Sequence, residues 1–501
     1  MDIALDRTSE TPLYLQILNE MRTMILTGAL PPGFRLPPER RLAESLAVNR
    51  STVLAAYREL KAEGLVGAHV GRGTVVLAKP FAAPAPEPRG ELPWRQLLRH
   101  DALAQDPLVR DLLELAERSD MISLAAGLPA PELLPMATLR RLLAEILKQE
   151  GPGVLLHCPT EGHLPLREAL AELMVARGVS CSPADVLVLS GSQQGIDLVA
   201  RVLIAPGDVV VVEQPSFFGG LQVFRAAQAR LVGVPVDEEG MRPDALEAVL
   251  QRYRPKLIYT LPSFQNPSSA VLSPARRLRL LELAYQHEVP ILEDDPYSEL
   301  AYDGPPPVSL KALDRRGHVI YLSTFSKVLF PGLRLGWVIA PPPMLRQLVL
   351  AKQIVDLHSN TPGQWLLDRF LREGHHPTHV ARVRAAYRER RDVVDRALRV
   401  AAVPGLEWRR PAGGFYFWCR LPEGARTSRL LTRAAETGVS FLPGGTCFVD
   451  DPGAGFARLN FTYPPADRVA EGVGRFATAL RDVLGEPSQP RSARGGTRPI
   501  V

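Results

Sequence analysis

From about residue 186 the chain alternates two kinds of pattern. Short runs rich in β-branched residues, VLVLS (186–190), DVVVVE (208–213), LIYTL (257–261), PILED (290–294) and VIYLS (319–323), each predict a strand. Between several of them lie longer stretches with helical spacing, such as PARRLRLLELAYQHE (274–288). The strand runs are apolar throughout rather than alternating, so both faces are expected to be covered. Such strands, separated by amphipathic helices, predict an α/β unit with a mostly parallel central sheet. In folds of this kind ligands collect at the carboxyl ends of the strands.

The first 80 residues have a different rhythm. Leu13, Ile17 and Met21 share one helical stripe, and Pro31-Pro32-Gly33 ends that region. Glu39 to Leu46 predict a short helix, Ala47-Val48-Asn49 a turn, and Asn49 a cap for a helix running to about Ala62. Two helices joined by a tight turn are the helix-turn-helix signature. Val70 to Val76, with Gly71 and Gly73 at a reversal, predict a hairpin wing. Residues 1 to 80 hold ten basic and eight acidic side chains, so placement matters more than net charge. Arg35, Arg50 and Arg72 fall at a loop, a helix start and a wing tip, places from which side chains reach phosphates or groove edges.

Composition marks the boundary between these halves. PFAAPAPEPRGELP (80–93) is rich in Pro and Ala, has no period, and predicts a semi-extended linker. GEPSQPRSARGGTRPIV (485–501) predicts a disordered polar tail. The expected organisation is a DNA-reading domain over 1–79, a linker over 80–93, an α/β domain over 94–484 and a tail over 485–501. No apolar run approaches the roughly 18 to 20 residues of a membrane span, and the N-terminus lacks the basic and apolar regions of a signal peptide. The four cysteines, Cys158, Cys181, Cys419 and Cys447, are scattered without a CxxC pair. Neither a disulfide frame nor a metal site is expected, and a reducing cytoplasm is the expected compartment.

The candidate chemistry centres on STFSKVLFPGLRLGW (323–337), where Lys327 sits among hydroxyls and hydrophobes, seven positions before Arg334. A lysine becomes a covalent catalyst by forming a Schiff base with a carbonyl, and a desolvated or cationic setting lowers its pKa for that task. Pyridoxal phosphate is the common carbonyl cofactor. Its binding needs a phosphate cradle, an acid at the ring nitrogen, a donor at the phenolic oxygen and a ring to stack on. LSGSQQG (189–195) follows a strand and opens a helix, so backbone N–H groups and Ser192 can hold a phosphate there. EDDPY (293–297) places carboxylates at a strand end, and QPSFFGG (214–220) places aromatics after another. Arg334 can complete the phosphate site, and Arg458 in FARLNF can take a substrate carboxylate as a bidentate pair. Each residue alone has a plainer reading as a surface cation, a strand-end acid or a core aromatic. Their coincidence favours the cofactor.

PLYLQI, LPPERRLAESLAVNRSTVLAAYRELKAEGL and GRGTVV closely resemble the winged helix-turn-helix of GntR-family transcription regulators. The resemblance implies that Arg35, Arg50 and the wing residues Gly71, Arg72 and Gly73 contact a double-stranded DNA operator. The helix bearing Ser51 and Thr52 would enter the major groove. AAGLP (125–129), PTEGHLPLREAL (159–170), GSQQGIDL (191–198), EQPSFFGG (213–220), PSFQNPSS (262–269), EDDPYSELAY (293–302), STFSKVLFPGLRLGW (323–337), PAGGFYFW (411–418) and ARLNFTY (457–463) resemble fold-type I aminotransferases of the 2-aminoadipate and kynurenine branch.

By that resemblance, pyridoxal phosphate links to Lys327, Asp294 pairs with its ring nitrogen, and Tyr297 and Asn266 bond its phenolic oxygen. Phe217 stacks on the ring, and Ser192, Gln193, Thr324, Ser326 and Arg334 hold the phosphate. Arg458, beside Asn266, receives the substrate α-carboxylate. Two positions depart from the family: His157 stands where relatives have a tyrosine that reaches the partner subunit's phosphate, and NPSS (266–269) replaces NPTG. The two halves together resemble MocR-type regulators. This implies a homodimeric transcription regulator that senses an amino acid, an amine or pyridoxal phosphate itself. The alternative is a working aminotransferase carrying a DNA-binding domain.

Overall fold

The computed structural model describes residues 3, 5–7, 9, 11–69, 73–77, 121–450 and 455–485. The chain forms two compact units, Met1–Leu98 and Arg99–Val501. The expected linker, the wing residues Gly71 and Arg72 and the tail beyond Gly485 lie outside the described residues.

The first unit contains helices α1 (Leu13–Leu26), α2 (Glu39–Leu46) and α3 (Arg50–Ala62). The stripe on α1 is used as its spacing requires: Ile17 and Met21 are fully buried in one core with Val53, Ala56 and Leu60 of α3. Ala47 closes α2 in the left-handed region, at φ 50°. The Asn49 side chain accepts from the Ser51 N–H at 3.4 Å and starts α3. Strands β1 (Val66–His69) and β2 (Gly73–Val76) pair antiparallel, with Val66 opposite Val76 and His69 opposite Gly73. The wing therefore opens at Val66, not Val70. Gly73 is paired within the second strand rather than at the reversal. Val66 and Val76 both enter the core, and this anchors the hairpin at its base.

In the second unit a two-residue strand, β3 (Ile122–Ser123), precedes the strands of the main sheet. These are β4 (Val186–Leu189), β5 (Val209–Gln214), β6 (Arg230–Asp237), β7 (Gly240–Met241), β8 (Leu257–Thr260), β9 (Ile291–Asp294), β10 (Val319–Thr324) and β11 (Gly336–Ile339). Their spatial order is β4-β11-β10-β9-β8-β5-β6-β7. The pairs β10/β9, β9/β8, β8/β5 and β5/β6 are parallel, while β11 runs against both β10 and β4. Val210 and Val212 enter one core with Ile196 and Leu198, and Val211 enters another with Leu246 and Leu280. Alternate residues of one strand thus serve two cores, which is why the run is apolar throughout. The five expected strands agree with the observed ones to within a residue or so at each end. The sequence pattern did not reveal β6, whose RLVGVPVD carries Gly and Pro and is half-exposed, or the short β11.

A smaller antiparallel sheet, β12-β13-β16-β15, joins β12 (Glu407–Trp408), β13 (Tyr416–Arg420), β15 (Leu442–Pro443) and β16 (Phe456–Asn460); β14 (Val439–Ser440) pairs with β3. Among the described residues no helix is long and apolar enough to cross a membrane.

Candidate functional site

The strands β4, β5, β8, β9 and β10 all point the same way, so the segments that leave their carboxyl ends converge. A cavity of about 270 Å³ lies there, lined by all ten residues expected to hold the cofactor and by Arg458. Nine of the ten arrive from strand ends of the main sheet: Ser192 and Gln193 after β4, Phe217 after β5, Asn266 after β8, Asp294 and Tyr297 at and after the end of β9, and Thr324, Ser326 and Lys327 at and after the end of β10; Arg334 lies between β10 and β11.

One end of the cavity gathers a helix start, hydroxyls and a guanidinium. The helix Ser192–Leu203 presents its N-terminus after Gly191, whose φ is +88°. A Cβ on Gly191 would run into the Arg334 guanidinium, so only glycine lets the backbone and the arginine meet. Arg334 Nη2 donates to the Ser190 carbonyl (3.2 Å), and its Nη1 lies 3.5 Å from Ser326 Oγ. Thr324 Oγ1 accepts from the Ser326 N–H (3.1 Å) and shapes the turn that carries Lys327. A helix terminus, two hydroxyls and a guanidinium gathered in one place are groups that suit a dianion.

At the other side lies a buried acid. Asp294 Oδ2 accepts from the Tyr259 hydroxyl at 2.8 Å, while Oδ1 is buried with no hydrogen-bond partner among the described residues. Burial pushes Asp294 up to about 7, against the bond from Tyr259 and with a further push from Asp295. An orphaned carboxylate oxygen aimed into a cavity fits a cationic ring nitrogen. Asp295, the other carboxylate of the pair, is also buried but caps a turn: it accepts from the Ser298 N–H and the Tyr321 hydroxyl. Of the two plainer readings of a strand-end acid, solvated or capping a helix, Asp295 takes the second, at the start of the short helix Ser298–Leu300.

Lys327 Nζ donates to the Gly127 carbonyl at 2.8 Å. Loss of hydration lowers its pKa; the nearby Tyr416 raises it and Arg458 lowers it. Arg458 is buried on β16, donating from Nη1 to Asn266 Oδ1 and from Nη2 to the Ala125 carbonyl, both at 2.9 Å, and its Nε has no partner among the described residues. The Asn266 oxygen is therefore occupied, which leaves its NH2 as the donating end. Tyr297 is buried, and that burial holds its phenol well above the usual value. The phosphate-side groups, the unpartnered Asp294 oxygen and the Lys327 amine fit pyridoxal phosphate, and Phe217 lines the same cavity.

Two residues of the site were missed in the sequence: Tyr416, which lines the cavity, and Tyr259, which does not line it but donates to Asp294. Tyr416 lies within the quoted stretch PAGGFYFW, which marked the segment without singling out the residue. His157 is exposed, with Nδ1 2.8 Å from His358 Nε2. In the first unit Arg35, Arg50 and Ser51 are exposed and Thr52 half-exposed, as a DNA-contacting surface requires. Arg50 is held by Glu39 at 3.1 Å.

The aminotransferase class I and II family model matches residues 119–476, and that of the bacterial regulatory proteins, gntR family, matches residues 13–76. The chain is 42% identical to the aromatic-amino-acid aminotransferase 1 of Thermococcus litoralis over 382 residues, 75% of this chain and 92% of that protein. It is 32% identical to the probable rhizopine catabolism regulatory protein MocR of Rhizobium meliloti over 484 residues, 95% of this chain and 96% of that one. Among solved structures it is similar to kynurenine aminotransferase from Pyrococcus horikoshii in complex with PMP and kynurenine. The TM-score is 0.75 and the identity 38%, covering 79% of this chain and 99% of that one.

Proposed function

Because the chain belongs to the aminotransferase class I and II family and carries a gntR-family domain in the arrangement of MocR-type regulators, we propose that it is a pyridoxal-phosphate-dependent transcription regulator. It binds an operator through the first unit and senses an amino acid or amine through the second. The observation that carries this reading is the coexistence, in one chain, of a capped helix-turn-helix and a cavity whose buried Asp294 oxygen, Lys327 amine and Arg334 cradle suit that cofactor.

The bound cofactor supplies a carbonyl that links reversibly to primary amines and a cationic ring that draws electrons. In this reading the chain's residues do the rest. Asp294 Oδ1 holds a proton on the ring nitrogen. Tyr297 and the Asn266 NH2 would donate to the phenolic oxygen, and Phe217 would stack on the ring. Ser192, Gln193, Thr324, Ser326 and Arg334 bind the phosphate. Lys327, its pKa lowered by burial, would be the amine that holds the cofactor's carbonyl and gives way to an effector amine. Arg458 takes the effector's α-carboxylate beside Asn266. DNA affinity changes only as far as the effector binds two states of the protein unequally. The chain acts as a homodimer in the cytoplasm, which predicts two operator half-sites.

A second reading, a working aminotransferase, is favoured by one observation: Lys327 and the hydrogen-bonded Arg458–Asn266 pair line the same cavity, where they suit the amine and carboxylate of an amino acid. A displaced Lys327 amine is placed to move a proton at the substrate α-carbon. Visible absorbance of the purified protein, followed through a panel of L-amino acids and amines, decides between the two. The yellow band is expected in the wild type and absent in Lys327→Ala. A spectral shift without keto-acid release, together with a change in operator affinity, supports the sensor. Stoichiometric keto-acid release supports the enzyme. A colourless protein that cannot be reconstituted refutes both.

A further inference from the structure

Tyr416 opens β13 inside the cavity, and no role above uses it. It is buried, yet it touches both ends of the site. Its ring face carries the Arg458 guanidinium, 4.0 Å from carbon Cζ to the ring centroid. Its hydroxyl lies 3.1 Å from that of Tyr297. A Cβ on Gly127 would stand 2.5 Å from the same hydroxyl, so the loop whose carbonyl accepts from Lys327 packs directly on it. A phenylalanine would keep the stacking on Arg458 and most of the packing. The hydroxyl therefore needs a purpose of its own.

Resting on the cofactor reading above, we infer that Tyr416 is a positioning residue that ties the carboxylate-binding arginine to the cofactor end of the cavity. Its ring fixes the plane of Arg458, and its hydroxyl aims that of Tyr297. The reasoning is a proton count. Tyr297 has one hydroxyl proton. If it is to donate into the cavity, it must be the acceptor in its bond with Tyr416. Tyr416 is then the donor, and a donated bond makes the Tyr297 hydroxyl a stronger donor in turn. The charges facing the pair are Asp294, Arg458 and Lys327, with Arg334 beyond Lys327. Burial keeps Tyr297 protonated across the working range, so any pH response belongs to the cofactor and not to this phenol.

The test uses full-length, cofactor-loaded protein and the pH midpoint of its visible band, in the wild type, Tyr416→Phe, Tyr297→Phe and the double variant. A weaker donor at the phenolic oxygen leaves the proton shared there more firmly held, so Tyr416→Phe is expected to raise the midpoint by about 0.3 to 1 pH unit. Tyr297→Phe is expected to raise it further, and the double variant no further than Tyr297→Phe alone, because the two hydroxyls act in series. Gly127→Ala displaces the same hydroxyl from the opposite side and is expected to move the midpoint in the same direction, a second route should Tyr416→Phe not fold. For the ring, Tyr416→Leu is expected to weaken binding of the spectrally active amino acid about 3- to 10-fold more than Tyr416→Phe does, because only the leucine also loses the face that Arg458 stacks on. An unmoved midpoint in Tyr416→Phe, or shifts that simply add in the double variant, overturns the inference and leaves the cofactor site intact. A wild type without the band overturns both.

Discussion

Replacing Asp294 by asparagine keeps the side chain's shape and an oxygen for the Tyr259 hydroxyl, and removes only the charge. Without cofactor, this acid is raised from 3.8 to about 7, chiefly by burial. The folded chain therefore holds a proton that the unfolded chain releases. Below about pH 4 both states are protonated and the group costs nothing. Between about 4 and 7 the unfolded chain ionises first, and folding stability falls by about 1.4 kcal/mol per pH unit. Above 7 the full cost is present, at most about 4 kcal/mol over three units and on the order of 2 to 4 after local relaxation. Asparagine carries no such cost. The cofactor-free Asp294→Asn protein is expected to melt about 2 to 6 °C higher than the wild type at pH 8, with the gap closing toward pH 4. Cofactor affinity should move the other way. The lost charge-assisted bond to the ring nitrogen costs about 1.5 to 3 kcal/mol, or about 10- to 100-fold in Kd by titration of the apo protein. Opposite signs in stability and affinity are the signature of a charge kept for a ligand. A variant less stable than the wild type at pH 8, or one that binds cofactor equally well, would refute the reasoning.

Arg50→Ala is expected to weaken operator binding and to lower the slope of log affinity against log salt by about one, measured by fluorescence anisotropy. Glu39→Gln, which frees Arg50 from its present partner, should act in the opposite direction. Arg458→Lys keeps the charge but loses the planar fork that reaches Asn266 and Ala125. The response to amino acids should fall at least about 10-fold, while the cofactor band and the response to amines without a carboxylate persist. Burial alone would raise Glu299, but the charges of Arg177 and His376 outweigh it and hold it at about 2. The depressed value means its stabilisation is complete above the ordinary carboxylate range and lost as pH falls from about 4 through 2. Glu299→Gln should therefore cost about 3 kcal/mol in urea unfolding at pH 7 and progressively less below pH 4.

Much of this protein is local and so could be read from the chain alone. The valine run of β5, the Leu13, Ile17 and Met21 stripe of α1 and the Asn49 cap each depend on neighbours a few positions away. The motifs at strand ends are local too, because a phosphate cradle needs a strand, a glycine and a helix start in succession. What the chain alone left open depends on partners far along it. Residues 294 and 295 are both buried acids, and from the residues alone either could meet the ring nitrogen. Neighbouring residues leave an extended strand on opposite sides. Register therefore decides: Asp294 lies opposite Leu322 of β10 and meets Tyr259, 35 residues away, while Asp295 turns to Ser298 and Tyr321. The reversed strand β11 and the meeting of Tyr416 with Tyr297, 119 positions apart, were equally invisible. Each is set by which strand packs beside which, a choice made by burial over the whole sheet rather than by any single segment.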